Sequence, residues 1–182
     1  MHSLFPKTIG AKQGQTLHID VATPEDAEEI IDYTNRVGGE SDFLTFGKDE
    51  FWATPDGERA FIRAMQENPK SLMLKGSIHG KIVSILTLNA TDRPRIAHVA
   101  EMGISVSADH WRSGVGRLMC VASIEWAKYA GLRKINLRVR EDNLRAIAMY
   151  EGLSFIHEGI SQRAYLVNGR YYADRLMGLA LD

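Results

Sequence analysis

One cysteine, Cys120, stands in a chain of 182 residues, so no disulfide can close within it, as expected of a reducing compartment. The six histidines are scattered and form no H-E-x-x-H pair, and Cys120 has no second cysteine near it. No metal is therefore expected. No stretch approaches the roughly 18 apolar residues that cross a bilayer. Lys and Arg total 22 against 23 Asp and Glu, a net charge of −1 with no basic stripe, which argues against a general nucleic-acid binder. Met1 to Gln15 carries Lys7 and Lys12 but no long apolar run, so it does not read as a signal peptide. Cytoplasm is the expected location, with neither membrane nor nucleic acid as a partner. Internal repeats, low-complexity tracts and a linker to a second domain are also missing. The expected organisation is a leader over 1–15 and a single domain over 16–182, long enough to bury a core.

What is present is a regular alternation of strand and helix signals. Thr16 to Ala22 alternates as a strand. Thr23 and Pro24 then cap and open a helix to about Val37, which Gly38-Gly39 stops. A second helical region is predicted over about Lys48 to Glu67, interrupted near Pro55-Asp56-Gly57. Strands at 71–77 and 81–89 flank the hairpin signal His79-Gly80. A third strand at 97–106 leads to a helix from Gly114 to Tyr129, with Val115, Leu118, Met119, Ala122, Trp126 and Tyr129 as its apolar stripe. A strand at 134–139, a helix at 143–152 and two strands joined at Asn168-Gly169 complete the chain. The segment from 97 to 139 requires a crossover between roughly parallel strands. The hairpins require antiparallel pairs. The fold class is thus α/β, a mixed and mostly antiparallel sheet of six to seven strands with helices on both faces.

Two features carry chemistry. Trp111-Arg112-Ser113-Gly114-Val115-Gly116-Arg117 joins a strand to a helix. Its glycines admit a ligand close to the backbone, and the helix start offers free N–H groups for phosphate. Gly116 is followed by Arg117-Leu118, so the P-loop lysine is missing, and Met119 stands where a dinucleotide fingerprint needs glycine. On the next helix, Asn143, Ala146 and Tyr150 share one face, an amide, a methyl and a phenol lining a groove. Gly103-Ile104-Ser105-Val106-Ser107 lacks the closing glycine of a nucleophile elbow.

Gly114-Val115-Gly116 at a helix start, followed by Val139, Asn143, Ala146, Tyr150 and Phe155, resembles the GNAT superfamily of N-acetyltransferases. The resemblance is strongest over residues 97–160. It implies a GNAT-like fold, acetyl-CoA as cosubstrate, and transfer of its acetyl group to a primary amine of a small molecule or protein N-terminus by direct attack. Arg112, Ser113, Gly114, Val115, Gly116 and Arg117 would hold the pyrophosphate. Backbone at Ile104 and Val106 would receive the pantetheine arm and polarise the carbonyl, beside Asn143 and Ala146. Tyr150 would protonate the departing thiolate, and Glu101, mid-strand, would take the amine proton through water. Two positions depart from the pattern. Trp111 replaces the usual Gln or Arg, which bears on the pyrophosphate contacts, and Ser154 replaces a glycine, which implies a changed turn.

The acceptor site in this superfamily is built by the first two helices, their loop and the C-terminal strands. Glu40 and Asp42 in that loop are the candidates to attract a cationic amine, such as a polyamine, an amino acid or a protein N-terminus. The alternative is an acyl-CoA-binding regulator without turnover, which would keep the glycine turn but need no acid or base. The resemblance also implies a possible homodimer.

Overall fold

The computed structural model describes residues 4–182, the side chain of Gln13 apart. Lys7–Gly10 (β1) and Thr16–Val21 (β2) pair antiparallel. The Asp26 carboxylate then reaches back to accept from the Thr23 N–H at 2.8 Å. This capping closes a short 3-10 turn at Pro24–Asp26, from which helix α1, Ala27–Gly38, continues. Helix α2 is Pro55–Glu67. Strands β3, Leu72–Ile78, and β4, Lys81–Ala90, form the expected hairpin, and His79 and Gly80 both take positive φ in its turn. Strand β5 is Val99–Val106, helix α3 Val115–Tyr129, strand β6 Lys134–Arg140 and helix α4 Leu144–Glu151. Strands β7, Ile156–Val167, and β8, Arg170–Ala180, end the chain.

The sheet runs β1-β2-β3-β4-β5-β6-β8-β7, and only the β5–β6 pair is parallel. It has eight strands rather than six or seven. The additional one, β1, lies in the stretch expected as a leader. With only Ile9 as a strongly apolar residue in four, it carries no readable alternation of its own and is specified by its pairing with β2. The helical region expected from Lys48 also begins later. Residues 48–54 are not helical. Pro55 opens α2 instead of interrupting it, because a proline at the first helical position gives up no hydrogen bond, and the Thr54 hydroxyl caps it by accepting from the Gly57 N–H at 3.1 Å.

Strand alternation divides the core between the two faces. Leu72, Leu74, Leu86 and Leu88 pack with α3 residues Met119, Ala122 and Trp126, and with Ile147 and Tyr150 of α4. Met73, Ile82 and Ile85 point the other way, to Ile30, Tyr33 and Val37 of α1 and Ile62 and Met65 of α2. Of the stripe expected on α3, Tyr129 is the exception at 59% exposed, since the helix ends there beyond the sheet.

What positions the site is the parting of two strands. β5 and β6 pair from Val99–Lys134 to Met102–Leu137 and then separate. On its other side β5 stays paired with β4 up to Val106. The Ser107 N–H donates to Val83 O at 2.9 Å, which fixes the alternation. Odd-numbered residues of β5 bond to β4, and Ile104 and Val106 turn their backbone groups into the gap.

Candidate active site

The gap opens onto the start of α3. Gly114 caps this helix at φ 90°, a left-handed conformation that costs glycine little. Leu118 is the first residue to close a bond back to Gly114, at 3.0 Å, so the N–H groups of Gly116 and Arg117 have no helical partner. A Cβ on Gly116 would come within 3.5 Å of Val106 and Met149, so the helix start lies directly against the end of β5 and the flank of α4.

A cavity of about 380 Å³ occupies this place, lined by Ile104, Val106, Arg112, Gly114, Gly116, Arg117, Asn143, Ala146 and Tyr150. These are nine of the positions expected to bind cofactor. Ser113 and Val115 are buried beneath the turn and do not line it. The Ser113 hydroxyl donates to His110 O at 2.5 Å and so fixes the turn from below. Asn143 caps α4, its side-chain oxygen accepting from the Ala146 N–H at 3.2 Å, which leaves its amide N–H₂ for the cavity.

Two contributors, Lys12 and Arg145, were not singled out as site residues in the sequence. Lys12 lines the cavity because its backbone N–H is tied to Ser113 O at 3.0 Å, beside β1 and β2. Arg145 lies over the Trp111 ring, 4.5 Å from its centroid, while the indole N–H donates to Val106 O at 2.8 Å. Trp111 therefore joins β5 to α4 and carries a cation into the cavity, where Gln or Arg would be expected. Lys12, Arg112, Arg117 and Arg145 together make a positive rim at a helix N-terminus, suited to several phosphates. The other departure, Ser154, takes φ 69°, so the turn keeps the backbone that a glycine favours. That costs about 1 kcal/mol.

A second cavity, about 570 Å³, lies on the α1–α2 side of the sheet. Its walls include Ile30, Phe51, Phe61, Met73, Ile85 and Tyr165. The two cavities share Phe43, Leu44, Ile104, Ser105, Arg138 and Tyr150. They meet where β5 loses its neighbour. Tyr150 is 6% exposed, packs on Phe155 at 5.7 Å between ring centroids, and has no hydrogen bond from its hydroxyl among the described residues. Burial pushes its phenol well above the ordinary value, with Cys120 adding to the effect, so the proton stays on. Cys120 itself is fully buried, its thiol pushed up to about 12. It is a packing residue.

The loop above this junction is held by Arg140, only 5% exposed. Its guanidinium donates to the Asp142 carboxylate at 2.7 and 3.0 Å and to Asp42 O at 2.7 Å, and it lies between the rings of Phe43 and Tyr172. No motif announced this residue.

The acidic candidates fall differently. Glu40 does not line the second cavity. Its carboxylate accepts from the Ala108 N–H at 2.6 Å and pairs with Arg36 at 3.7 Å, so it anchors the loop. Asp42 lines a polar hollow with Glu50 and Asp174 that adjoins the second cavity at Leu44, Thr45, Phe46, Arg138 and Tyr165. Neither Glu40 nor Asp42 lines the first or the second cavity itself. Glu101 lies on the α1–α2 face of β5, one alternation beyond Gly103, and lines neither cavity. Its carboxyl is raised above the ordinary value by partial burial, with Arg138 opposing and Asp174 adding. His98 is exposed near the far end of the strand.

The chain matches the acetyltransferase (GNAT) family over residues 40–155. It is 32% identical over 108 residues to the L-amino acid N-acetyltransferase AaaT of Escherichia coli, covering 59% of this chain and 67% of that one. It is 28% identical over 91 residues to the spermidine N(1)-acetyltransferase of Vibrio cholerae, half of each chain. A GNAT-family acetyltransferase structure from Streptococcus pneumoniae superposes with a TM-score of 0.87 at 29% identity, covering 91% of this chain and 99% of that one. The structure of yncA from Salmonella typhimurium with its cofactor acetyl-CoA has the same fold, with a TM-score of 0.80 at 18% identity over 91% and 94% of the two chains. The chain belongs to the acetyltransferase (GNAT) family, and its chemistry is acyl transfer from an acyl-CoA to nitrogen.

Among the described residues no helix is long and apolar enough to cross a membrane.

Proposed function

We propose that the chain acetylates a primary amine drawn into the second cavity, using acetyl-CoA that lies in the first. The observation that carries this reading is the meeting of the two cavities at Ile104, Ser105 and Tyr150. The first cavity fits the cosubstrate on physical grounds. A cationic rim and a helix start suit its phosphates, and the open edge of β5 suits its extended amide arm. The thioester supplies an activated acetyl group.

The chain's own residues divide the remaining work. Backbone N–H groups of β5 that face the gap receive the acetyl carbonyl oxygen as charge builds on it. The attacking amine must arrive neutral. Glu101 takes its proton through water, and its raised carboxyl makes it a stronger base than a free glutamate. Tyr150 gives its proton to the thiolate as the carbon–sulfur bond breaks. The named acceptors of the two relatives, an L-amino acid and spermidine, both offer a primary amine. This reading takes residues 4–182 as one such domain, since β1 extends the sheet and Lys12 reaches the cosubstrate cavity.

Glu101→Gln tests the base. A lysine-like amine, with a pKa of about 10, is mostly protonated at neutral pH and needs the carboxylate most there. A large loss in kcat/KM near pH 7 should shrink above about pH 9, where free amine is abundant. Acetyl-CoA affinity should not change. A pH profile of the variant with a loss that is uniform across the range would make Glu101 an electrostatic contact, and no loss would remove it from the mechanism.

A further inference from the structure

The second cavity contains one carboxylate among its described lining residues, and it is none of Glu40, Asp42 and Glu101. Glu58 sits in the first turn of α2 and is 4% exposed. It makes no side-chain hydrogen bond and no ion pair with any described residue. The cation nearest in sequence, Arg59, turns away to Asp56 at 2.9 Å and to Glu28 at 2.7 Å. The pocket around Glu58 is apolar, with Ile30, Phe51, Phe61, Met73 and Ile85 among its walls. Burial there raises its carboxyl above the ordinary range. The residue is buried while its carboxylate opens to the cavity, and a carboxylate in apolar surroundings with no protein partner is unfavourable unless something supplies one. Two acids on the chain's exterior have found cations; this one, in the cavity, has not.

Position decides what that partner is. Ile104, Ser105, Arg138 and Tyr150 line both cavities and mark where the acetyl group is transferred, whereas Glu58 lines only the second. The acetylated nitrogen belongs at the junction. Glu58 therefore meets the other end of the acceptor, across an apolar wall that suits methylene groups. We propose that the acceptor is a diamine-like molecule, with a second ammonium group at the end of an aliphatic arm, and that Glu58 is the specificity-determining residue that receives this group. The inference rests on the two-cavity reading above. The aromatic rings beside Glu58 reinforce the choice of a cation, since their faces attract positive charge.

The test compares three acceptors of equal chain length at saturating acetyl-CoA: cadaverine, pentylamine and δ-aminovaleric acid, which end in an ammonium, a methyl and a carboxylate. Wild type should favour cadaverine over pentylamine by at least about tenfold in kcat/KM, the scale of a charge-assisted contact, and should use the amino acid least. Glu58→Gln should raise KM for cadaverine about tenfold with kcat within about twofold, and bring the preference for cadaverine over pentylamine to near parity. The ligand-free variant should melt at or above the wild-type temperature, because it loses an unpaired buried charge. Equal use of cadaverine and pentylamine by wild type, an equal loss for both in the variant, or a lower melting temperature would overturn the proposal. Calorimetric binding of cadaverine and pentylamine, with CoA present, separates it from the transferase reading. Preferential cadaverine binding that depends on Glu58, without turnover of any amine, would leave the site standing and reject the reaction. Absence of any cadaverine preference in binding would reject the site.

Discussion

Gly116→Asp is expected to abolish acetyl-CoA binding while the fold remains intact. The fold should tolerate the change for two reasons. A Cβ at this position meets Met149 and Val106 at 3.5 Å, ordinary contact distance, and Gly116 does not occupy the left-handed region. An aspartate in the first turn of a helix also complements its dipole. The ligand should not tolerate it. The new carboxylate would fill the space in front of the free N–H groups and repel a pyrophosphate. A ligand bound only by the native state stabilises it by about 2.7 kcal/mol at a hundredfold excess over its dissociation constant. For a chain of this length that is a rise of roughly 5–10 °C in Tm. Wild type should show that rise with acetyl-CoA and the variant none, with ligand-free melting temperatures within about 2 °C of each other. An equal rise in both would mean that the start of α3 does not hold the phosphates.

Tyr150→Phe should lower kcat on a good acceptor by about 10²-fold or more, the usual scale for a lost general acid. The substitution keeps the ring against Phe155 and removes only a hydroxyl that has no partner among the described residues. Acetyl-CoA affinity and Tm should therefore change little. The phenol is protonated at neutral pH, as an ordinary tyrosine already is, and burial raises its pKa further, so donation depends on the thiolate charge that develops beside it. Unchanged turnover would make Tyr150 a packing residue and leave the thiolate to be protonated by water.

The strand and helix order was legible because most elements have strong local signals. The stripe of α3 from Val115 to Trp126, the alternation of Ile135, Leu137 and Val139, and the two positive-φ hairpins each show in a window of a few residues. β1 was not legible, since four residues with one apolar side chain are specified by a neighbour rather than by themselves. The half of the candidate site proposed for the cosubstrate was legible for a similar reason. A glycine turn and an Asn–Ala–Tyr face are local patterns, and their chemistry depends on backbone that those patterns fix. The acceptor half was not. Glu40 and Asp42 were conspicuous as acids in a polar loop, yet a carboxylate there readily finds a backbone N–H, as Glu40 does at Ala108. Glu58 carries no local signal that sets it apart from the other charges of its helix. Only packing reveals that it faces an apolar cavity. Arg145 and Arg140 were hidden in the same way, because stacking on Trp111, Phe43 and Tyr172 joins residues far apart in the chain.

The most direct test of the central claim follows acetyl-CoA and a panel of primary amines together, measuring thiol release and acetylated amine in the same reaction. The account predicts that the two products appear in equal amounts, only when an amine acceptor is present, and that Tyr150→Phe slows both alike. Acetyl-CoA binding with no acceleration of thiol release by any amine in a panel of amino acids, diamines and peptide N-termini would contradict it.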